Sequence, residues 1–537
     1  MKIIFQYNQD YWRKSYSYSI KIILFAFLFA SCLSILKIEA AEPRHGGKFR
    51  TNISEPRSLT PTVEVSSEVY SITGNIYNGL LRWNQDASDV ELDLASSWKK
   101  VDDLTYVFKI HSGVYFHNIP PVSGREVTSK DVKFTIEWAM GMFGEKYRFI
   151  HRYYFENRIS SIETPDKYTI VIKTKEPYAP FIAYLASARS VILPKEILDK
   201  YGNFNRNAIG TGPFILKEYL QGSHASLIKN SNYFRKPYPY LEEIELKIIN
   251  DPPTLLAAFL ANQLDSFGPS FFQLETLKQK NPDVQIIQRP GTHQWILRVR
   301  PYSEKNLLKP PLNELKVRQA IAMAIDKDKL LKLSLGGAGQ VQVGPIPNWP
   351  PYSLTEKDQV EYNPSKARQL LAEAGYPEGF SIDLLTWSAN YMTTPAQIIQ
   401  AMLKDVGISL NLRFLEMAQY FNYIYKTGGD FDLNLHVMTA GVEPDEWLTC
   451  YFSENSTAYK WNNPEIWRLC AEQARAINKN RRIALIQEVQ RKILFDASHV
   501  FLYSQTRFTA MKPYVHRILY FNEYQPLMGE NLWMDEH

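Results

Sequence analysis

The chain has 537 residues, of which 45% are hydrophobic and 22% are charged, and its formal net charge is +5 at pH 7. Single hydrophobic cores stop growing at about 250–300 residues, so we expect two or three lobes. The sequence has no cluster of Lys and Arg interleaved with aromatic residues, which argues against nucleic acid as a partner. No repeat or Gly/Ser linker divides the chain, so the lobes are expected to share strands.

The first 40 residues have the features of a signal peptide. Basic residues precede an apolar run at 22–36, and Ala40 offers a small-residue cleavage site. We therefore predict an exported protein that begins at Ala41. Two alternatives stay open: the apolar run could anchor the chain, although its 15 residues fall short of the roughly 20 in a spanning helix, or Cys32 could carry a lipid.

The next elements are predicted from the periodicity of apolar residues. Gly47–Arg50 reads as a strand and Tyr70–Trp83 as a helix. The segment Leu94–Phe134 predicts strand, turn, strand, loop and helix, and Thr128 begins that helix with a Thr-Ser-Lys-Asp capping box. Its second strand alternates at Tyr106, Phe108 and Ile110, and the apolar face of its helix contains Val132, Ile136, Ala139 and Phe143.

Ile170–Thr174 reads as another strand and is followed by a Gly-Thr-Gly-Pro turn within Ile209–Phe214. The two glycines also suggest a phosphate-binding loop. Pro213 removes a backbone donor, however, and no Gly-Lys-Ser/Thr follows, so a structural turn is favoured. The later glycine run at Gly336–Gly339 lacks the remaining features of a dinucleotide site and predicts a loop after a helix.

Two helices are predicted in the second half. The apolar face of the first is formed by Val317, Ile321, Ala324 and Ile325. The second lies within Asn363–Tyr376 and is closed by Gly375 at its carboxyl end.

Several of these segments together resemble the family 5 extracellular solute-binding proteins, the receptors of ATP-driven importers for peptides, nickel and related ligands. The matching segments are Ile76–Leu81, Leu94–Phe134, Ile209–Phe214, Pro310–Asp326 and Asn363–Tyr376. The resemblance covers essentially the whole mature chain. It implies an α/β fold of the two-lobed periplasmic binding protein type (type II, Venus-flytrap), with mixed sheets and an extra third subdomain.

The resemblance also implies domain boundaries and a mechanism. The expected parts are a signal peptide at 1–40, lobe I at 41–84, 207–297 and 500–537, the extra subdomain at 85–206, and lobe II at 298–499. Closure of the lobes on a ligand is expected to bury Trp387, with hinges near Asn84 and Asn207.

Family placement marks candidate ligand-binding residues in three segments. They are Glu68, Val69, Tyr70, Trp387, Asn390, Tyr391, Ala440, Gly441, Val442, Glu443 and Trp447. Peptide-binding relatives use an aspartate for the ligand ammonium where this chain has Ala440, so we expect that it does not grip a free peptide amino terminus in the usual way. Glu443 is near enough in sequence to substitute. Some relatives carry a cysteine pair in a similar region, which implies a structural Cys450–Cys470 disulfide.

Motifs for catalysis and metal binding are absent from the sequence. There is no HExxH, GxSxG or zinc-spaced Cys/His set, and His111 and His117 are interpreted as solvated turn histidines. We expect a periplasmic monomer, without cofactor or metal, that binds a small molecule or peptide and delivers it to an ABC permease and its ATPase. A secreted hydrolase with remote carboxylates, or a ligand-holding chaperone or signalling receptor without an importer, stays open as an alternative.

Overall fold

The computed structural model describes residues 42–62, 66–144, 152–300, 310–425, 431–439, 441, 443–454, 456, 461–516 and 529–536. The predicted leader with Cys32, and the candidate residues Ala440 and Val442, lie outside these residues. Residues 45–537 belong to one unit, to which the following description applies.

Within the described residues, the strands form three principal sheets and two small two-stranded sheets. In chain order they are β1 (Lys48–Ile53), β2 (Leu81–Trp83), β3 (Val90–Leu92), β4 (Ala95–Lys100), β5 (Thr105–Ile110), β6 (Ile159–Glu163), β7 (Thr169–Thr174), β8 (Phe214–Leu220), β9 (His224–Lys229), β10 (Glu243–Ile248), β11 (Ser266–Phe267), β12 (Gln285–Val299), β13 (Gly339–Val341), β14 (Phe380–Trp387), β15 (Ile408–Leu415), β16 (Leu433–Met438), β17 (His499–Met511), β18 (Val515–His516) and β19 (Trp533–Met534).

The helices pack on these sheets. In chain order they are α1 (Ser67–Thr73), α2 (Ser129–Ala139), α3 (Phe181–Leu185), α4 (Lys195–Tyr201), α5 (Pro252–Leu260), α6 (Leu274–Lys280), α7 (Leu315–Met323), α8 (Lys327–Leu335), α9 (Pro364–Glu373), α10 (Asn390–Lys404), α11 (Met417–Tyr425), α12 (Pro444–Phe452), α13 (Pro464–Arg475) and α14 (Lys479–Asp496).

Lobe I and the small domain each contain a four-stranded sheet. The lobe I sheet has the order β1-β10-β9-β8, and β1 and β10 run parallel. The small domain, defined here as β4–β7 with α2–α4, has the antiparallel order β4-β5-β7-β6.

Burial of Tyr106, Phe108 and Ile110 confirms the predicted strand. The capping box at Thr128 is also confirmed, since the Thr128 N–H donates to Asp131 at 2.8 Å. Because α2 ends at Ala139, Phe143 follows the helix rather than lying on its face.

The prediction of one helix over Tyr70–Trp83 is wrong after Thr73. There α1 ends, and Leu81–Trp83 pairs with β3 as a strand. The backbone between them binds the Gly-Thr-Gly-Pro turn instead of continuing the helix. Gly212 N donates to Ile76 O at 2.7 Å, and Phe214 N donates to Asn75 O at 3.0 Å.

Lobe II is built on a seven-stranded sheet with the order β11-β17-β12-β16-β14-β15, to which β13 adds along β17. Strands β14, β15 and β16 run parallel. The predicted helices are present as α7 and α9, and Gly375, with a φ of +90°, follows the carboxyl end of α9 as expected. Ala324 and Ile325 are buried but lie beyond the end of α7 at Met323.

Two long strands connect the lobes. In β12 and β17 the pairing is continuous from Gln285 to Pro290, shifts register before Gln294, and continues into lobe II. Gly291 lies at this irregularity, where a Cβ would be 2.1 Å from the Gln505 carbonyl oxygen. The crossing between lobes is therefore a locally irregular two-stranded ribbon.

The apolar side chains form two large cores. One core joins lobe I and the small domain and includes Phe49 and Phe108, while the other fills lobe II and includes Leu384, Ile486 and Phe501. Lobe I and the small domain thus form one packed body and lobe II forms a second, and Ala474 of α13 packs in the core of the first.

The structure contradicts the expected disulfide. Cys450 and Cys470 are both buried, on the neighbouring helices α12 and α13, and no disulfide joins them. The Cys470 Sγ lies 4.0 Å from the Leu448 carbonyl oxygen, and burial raises the pKa of this thiol. Each cysteine therefore packs as a small apolar side chain.

Candidate functional site

The candidate aromatic residues of lobe II lie where β14 ends and α10 begins. This is the carboxyl end of a parallel strand, the edge of an open α/β sheet at which ligands bind. Trp387 is only 4% exposed and packs against Tyr420 and His436. It packs in the lobe II core, and its role as a ligand-stacking residue that closure buries stays a prediction.

Tyr391 supplies the accessible ring at this position. Its side chain is 46% exposed, and its hydroxyl oxygen accepts a hydrogen bond from Trp387 Nε1 at 3.1 Å. Its carbonyl oxygen accepts from Trp295 Nε1 at 3.2 Å, and Trp295 is itself stacked on Tyr503. Two buried tryptophans therefore hold the exposed Tyr391, Trp295 through its backbone carbonyl and Trp387 through its hydroxyl oxygen. The neighbouring candidate Asn390 is exposed.

The segment before α12 is held together by its own residues. Gly441 N donates to Glu446 Oε2 at 2.8 Å, and Gly441 O accepts from Trp447 Nε1 at 3.2 Å. Trp447 is 1% exposed and lies in the lobe II core, so it is a packing residue that positions this loop.

Glu443 is committed to the protein. It caps α12 by accepting from Asp445 N at 3.0 Å, and it forms a buried ion pair with Arg482. Burial raises the pKa of Glu443, and Arg482 opposes that effect. The idea that Glu443 substitutes as a partner for a ligand ammonium is therefore not favoured by the contacts, because the carboxylate is already neutralised.

The candidate residues of α1 divide by burial. Val69 is completely buried and Tyr70 is 1% exposed, whereas Glu68 is partly exposed. The Tyr70 hydroxyl oxygen accepts from Arg189 Nε at 3.1 Å. Val69 and Tyr70 are thus structural, and Tyr70 connects α1 to an arginine of the small domain.

Arg189 and its partners are functional candidates that the sequence did not indicate. Arg189 donates to Tyr154 OH at 2.6 Å and forms an ion pair with Glu446 of lobe II, and Tyr154 also donates to Glu446. Arg189 stands alone among small residues in the sequence, and no local pattern pairs it with a residue 257 positions away. Only the folded arrangement brings this cluster together.

A second hydroxyl–carboxylate contact lies beside the first. Tyr184 OH donates to Asp445 Oδ2 at 2.5 Å, and the rings of Tyr184 and Tyr154 stack with centroids 3.7 Å apart. Asp445 Oδ1 accepts from Thr449 at 2.6 Å and also contacts Gln473. Burial raises the pKa of both tyrosines well above the ordinary value, so both remain protonated donors.

His117 departs from its prediction. It is 2% exposed rather than solvated, and its Nε2 lies 3.0 Å from the Gly212 carbonyl oxygen. Burial lowers the pKa of His117 to about 4. This histidine is a neutral structural residue, whereas His111 is exposed as expected.

Within the described residues, no group of three or more His, Cys, Asp or Glu side chains is arranged to hold a metal ion. In the same part of the chain, no helix has the length and apolar character to cross a bilayer.

Comparisons with known proteins agree with this architecture. The chain is 28% identical to the oligopeptide-binding protein AppA of Bacillus subtilis, over 92% of this chain and 93% of that protein. It is 27% identical to the glutathione-binding protein GsiB of Pectobacterium atrosepticum, over 83% and 86% of the two chains. The structure of the periplasmic binding protein DppA from Helicobacter pylori in complex with peptide STSA superposes with a TM-score of 0.78 at 24% identity, covering 92% of this chain and 99% of that one.

The sequence profile named bacterial extracellular solute-binding proteins, family 5 Middle, matches residues 89–460. That match spans the small domain, the β12 crossing strand and most of lobe II. The chain belongs to the family 5 bacterial extracellular solute-binding proteins.

Proposed function

We propose that this protein is the extracytoplasmic solute-binding component of an ABC importer, and that it holds a peptide or peptide-like compound between lobe II and the body formed by lobe I and the small domain. Family membership supports the class of function. The single structural observation that carries the position of the site is Tyr391, an exposed ring fixed by two tryptophans at the carboxyl end of a parallel strand.

The two glutamates at the start of α12 support binding rather than catalysis. Glu443 is paired with Arg482, and Glu446 is paired with Arg189. A general base must be free to take a proton from a substrate, and these carboxylates are already occupied by guanidinium groups. The relatives reported above are named as binding proteins, which agrees with this conclusion.

The ligand class follows from the relatives and from the same contacts. Peptide and glutathione are named for the relatives, so peptides and small peptide-like compounds are the first candidates. We infer that the ligand does not place a free ammonium beside Glu443, since Arg482 already neutralises that carboxylate. Ala440 stands where peptide-binding relatives have the aspartate that binds a ligand ammonium. The effect of this difference on ligand choice stays a prediction.

Native mass spectrometry of protein purified without denaturation identifies what occupies the cleft. We expect a peptide or peptide-like mass, lost on unfolding. Calorimetry with the identified compound then compares Tyr391→Ala with Tyr362→Ala, a matched change at another half-exposed tyrosine. Weaker binding in the first variant alone supports the site, and equal affinity in both contradicts it.

The partners and location follow from the same proposal. The protein acts outside the cytoplasm as a monomer and presents its loaded form to a permease driven by an ATPase. Amino-terminal sequencing of protein from the cell envelope should begin at Ala41. A lipid-modified start at Cys32 would instead mean attachment to a membrane, and an intact leader in the cytosol would contradict export.

A further inference from the structure

The small domain meets lobe II through polar groups. Ala179 N donates to Ala474 O at 2.8 Å across this interface, and Glu176 forms an ion pair with Arg475 at 2.5 Å. The Tyr184–Asp445 hydrogen bond also crosses it. Among the described residues, the two large apolar cores meet across this interface only at Ala474, which packs in the core of lobe I and the small domain, and at Tyr153, which packs against both cores, so opening the interface exposes little of either core.

The Arg189–Glu446 ion pair lies at the buried part of the same interface. The side chains of Arg189 and Glu446 are 6% and 4% exposed. Glu446 is also bound by Tyr154 from the small domain and by Gly441 N from its own loop, while Arg189 is bound by Tyr70 and Tyr154. The pair is therefore held by donors from both bodies.

Burial of this pair depends on the lobes being together. Arg189 follows α3 in one body and Glu446 lies in the first turn of α12 in the other. When the lobes separate, both charges can be hydrated. When the lobes meet, the Coulomb attraction roughly offsets the loss of hydration, so an intact pair specifies the geometry of the closed form without making closure irreversible.

We propose that Arg189 and Glu446 are positioning residues for ligand capture: their ion pair forms when lobe II closes on the small domain, and it sets the fraction of ligand-free protein that is closed. This inference rests on the proposed function only in placing the ligand between the two bodies. The pair acts through closure and does not touch the ligand.

Removing the charge of Glu446 should reduce the population of the closed form. In Glu446→Gln the closed form loses the negative charge beside the buried Arg189 guanidinium, whereas the open form hydrates that guanidinium. The closed population therefore falls. Because apparent affinity scales with the fraction of competent conformer, a tenfold smaller closed fraction weakens binding of every ligand by about tenfold. The double variant Arg189→Met with Glu446→Met buries no unpaired charge, so it recovers most of the closure.

Small-angle X-ray scattering of ligand-free protein tests the proposal, with bound solute removed by unfolding and refolding. We expect Glu446→Gln to have a larger radius of gyration than wild type, and the double methionine variant to return toward wild type. Glu176→Gln serves as the matched control, since its pair with Arg475 crosses the same interface but is exposed. Across these variants, a larger radius of gyration of the ligand-free protein should accompany a lower affinity for the co-purifying solute.

An unchanged radius of gyration in ligand-free Glu446→Gln would overturn the proposal. If affinity falls in that case, Glu446 contacts the ligand directly. These measurements on ligand-free protein do not depend on which solute is bound. Failure of the proposed function would be recognised separately, by the absence of any peptide-like solute in native mass spectrometry.

Discussion

The small domain joins lobe I and lobe II through interfaces built from different chemistry. Toward lobe I, His117 N donates to Gly210 O at 2.8 Å, the neutral ring lies 3.0 Å from Gly212 O, and one apolar core continues across the boundary. Toward lobe II, the interface is mainly polar: tyrosine hydroxyls, Glu446 and Arg189 lie between the two large cores, and Ala474 makes a small apolar contact across the boundary.

The difference indicates which interface is permanent. Separating lobe I from the small domain would expose apolar surface and leave backbone groups without partners, which costs free energy. Separating the small domain from lobe II rehydrates charges and hydroxyls, so much of the loss of contacts is offset by solvation. We therefore expect lobe I and the small domain to move together, with bending at the β12–β17 ribbon rather than near Asn84 or Asn207. Asn84 closes the β2–β3 turn, where its side chain accepts from Ser88 N at 2.9 Å.

The largest expected effect is inside lobe I at Gly210, whose carbonyl oxygen accepts a hydrogen bond from His117 at the permanent interface. A Cβ on Gly210 would lie 2.1 Å from the Ile76 carbonyl oxygen, so Gly210→Ala should lower the free energy of unfolding by more than about 4 kcal/mol or prevent folding. Gly268→Ala is the matched control, because its Cβ would meet only the Phe508 carbonyl oxygen at 3.7 Å. Chemical denaturation of both variants makes the comparison, and equal stabilities would contradict it.

The next prediction separates a core residue from a surface residue within lobe II. Trp387→Ala should cost about 3–5 kcal/mol of unfolding free energy because it empties part of a packed core. Tyr391→Ala should cost about 1 kcal/mol or less, since the ring is half-exposed, but it should weaken ligand binding. Urea unfolding and calorimetry on both proteins measure the two effects. A stable Trp387→Ala protein that has lost binding would support the assignment of Trp387 to the ligand.

The third prediction uses pH to probe His117. Its pKa of about 4 in the folded protein lies below the ordinary value near 6.5, so the unfolded chain takes up the proton first as the pH falls. The neutral ring contributes about 3 kcal/mol to the free energy of unfolding above pH 6.5. This contribution is lost as the pH falls from 6.5 to 4.

Buried His436 and His499 in lobe II also have lowered pKa values and contribute to the same window. The difference between wild type and His117→Gln isolates the effect of His117. The free energy of unfolding, measured at several pH values, should fall more steeply with decreasing pH for wild type than for the variant. Equal pH dependences of the two proteins would argue against a neutral His117 at this interface.

The smallest effect is expected at the exposed part of the separable interface. Glu176→Gln removes the partner of Arg158 and Arg475, but these groups are partly exposed, so solvent screening limits the loss to about 0–1 kcal/mol. Thermal unfolding at low and high salt should hardly distinguish this variant from wild type. A loss of several kcal/mol would show that the interface is not readily hydrated.

Local signals in the sequence predicted the fold well. The capping box at Thr128, the alternation through Tyr106 and Phe108, and the glycine after α9 depend on near neighbours, and the structure contains all three. The Gly-Thr-Gly-Pro turn was also predicted. The reason for its glycines, a close approach to the Ile76 backbone, is evident only in the fold.

The site was harder to predict because its contacts are long-range. Periodicity could not show that Trp387 points into the core while Tyr391, four residues later, is exposed. The sequence does not indicate that Arg482 lies beside Glu443, and nothing near Arg189 in sequence indicates Glu446. The spacing of Cys450 and Cys470 in the sequence likewise does not determine whether the two thiols are joined.

Closure of lobe II on a single body made of lobe I and the small domain is the central claim, and scattering with and without ligand tests it most directly. Titration of refolded protein with the solute identified by mass spectrometry should decrease the radius of gyration in proportion to occupancy, with saturation at one equivalent. Full occupancy by calorimetry with no change in the radius of gyration would contradict the account.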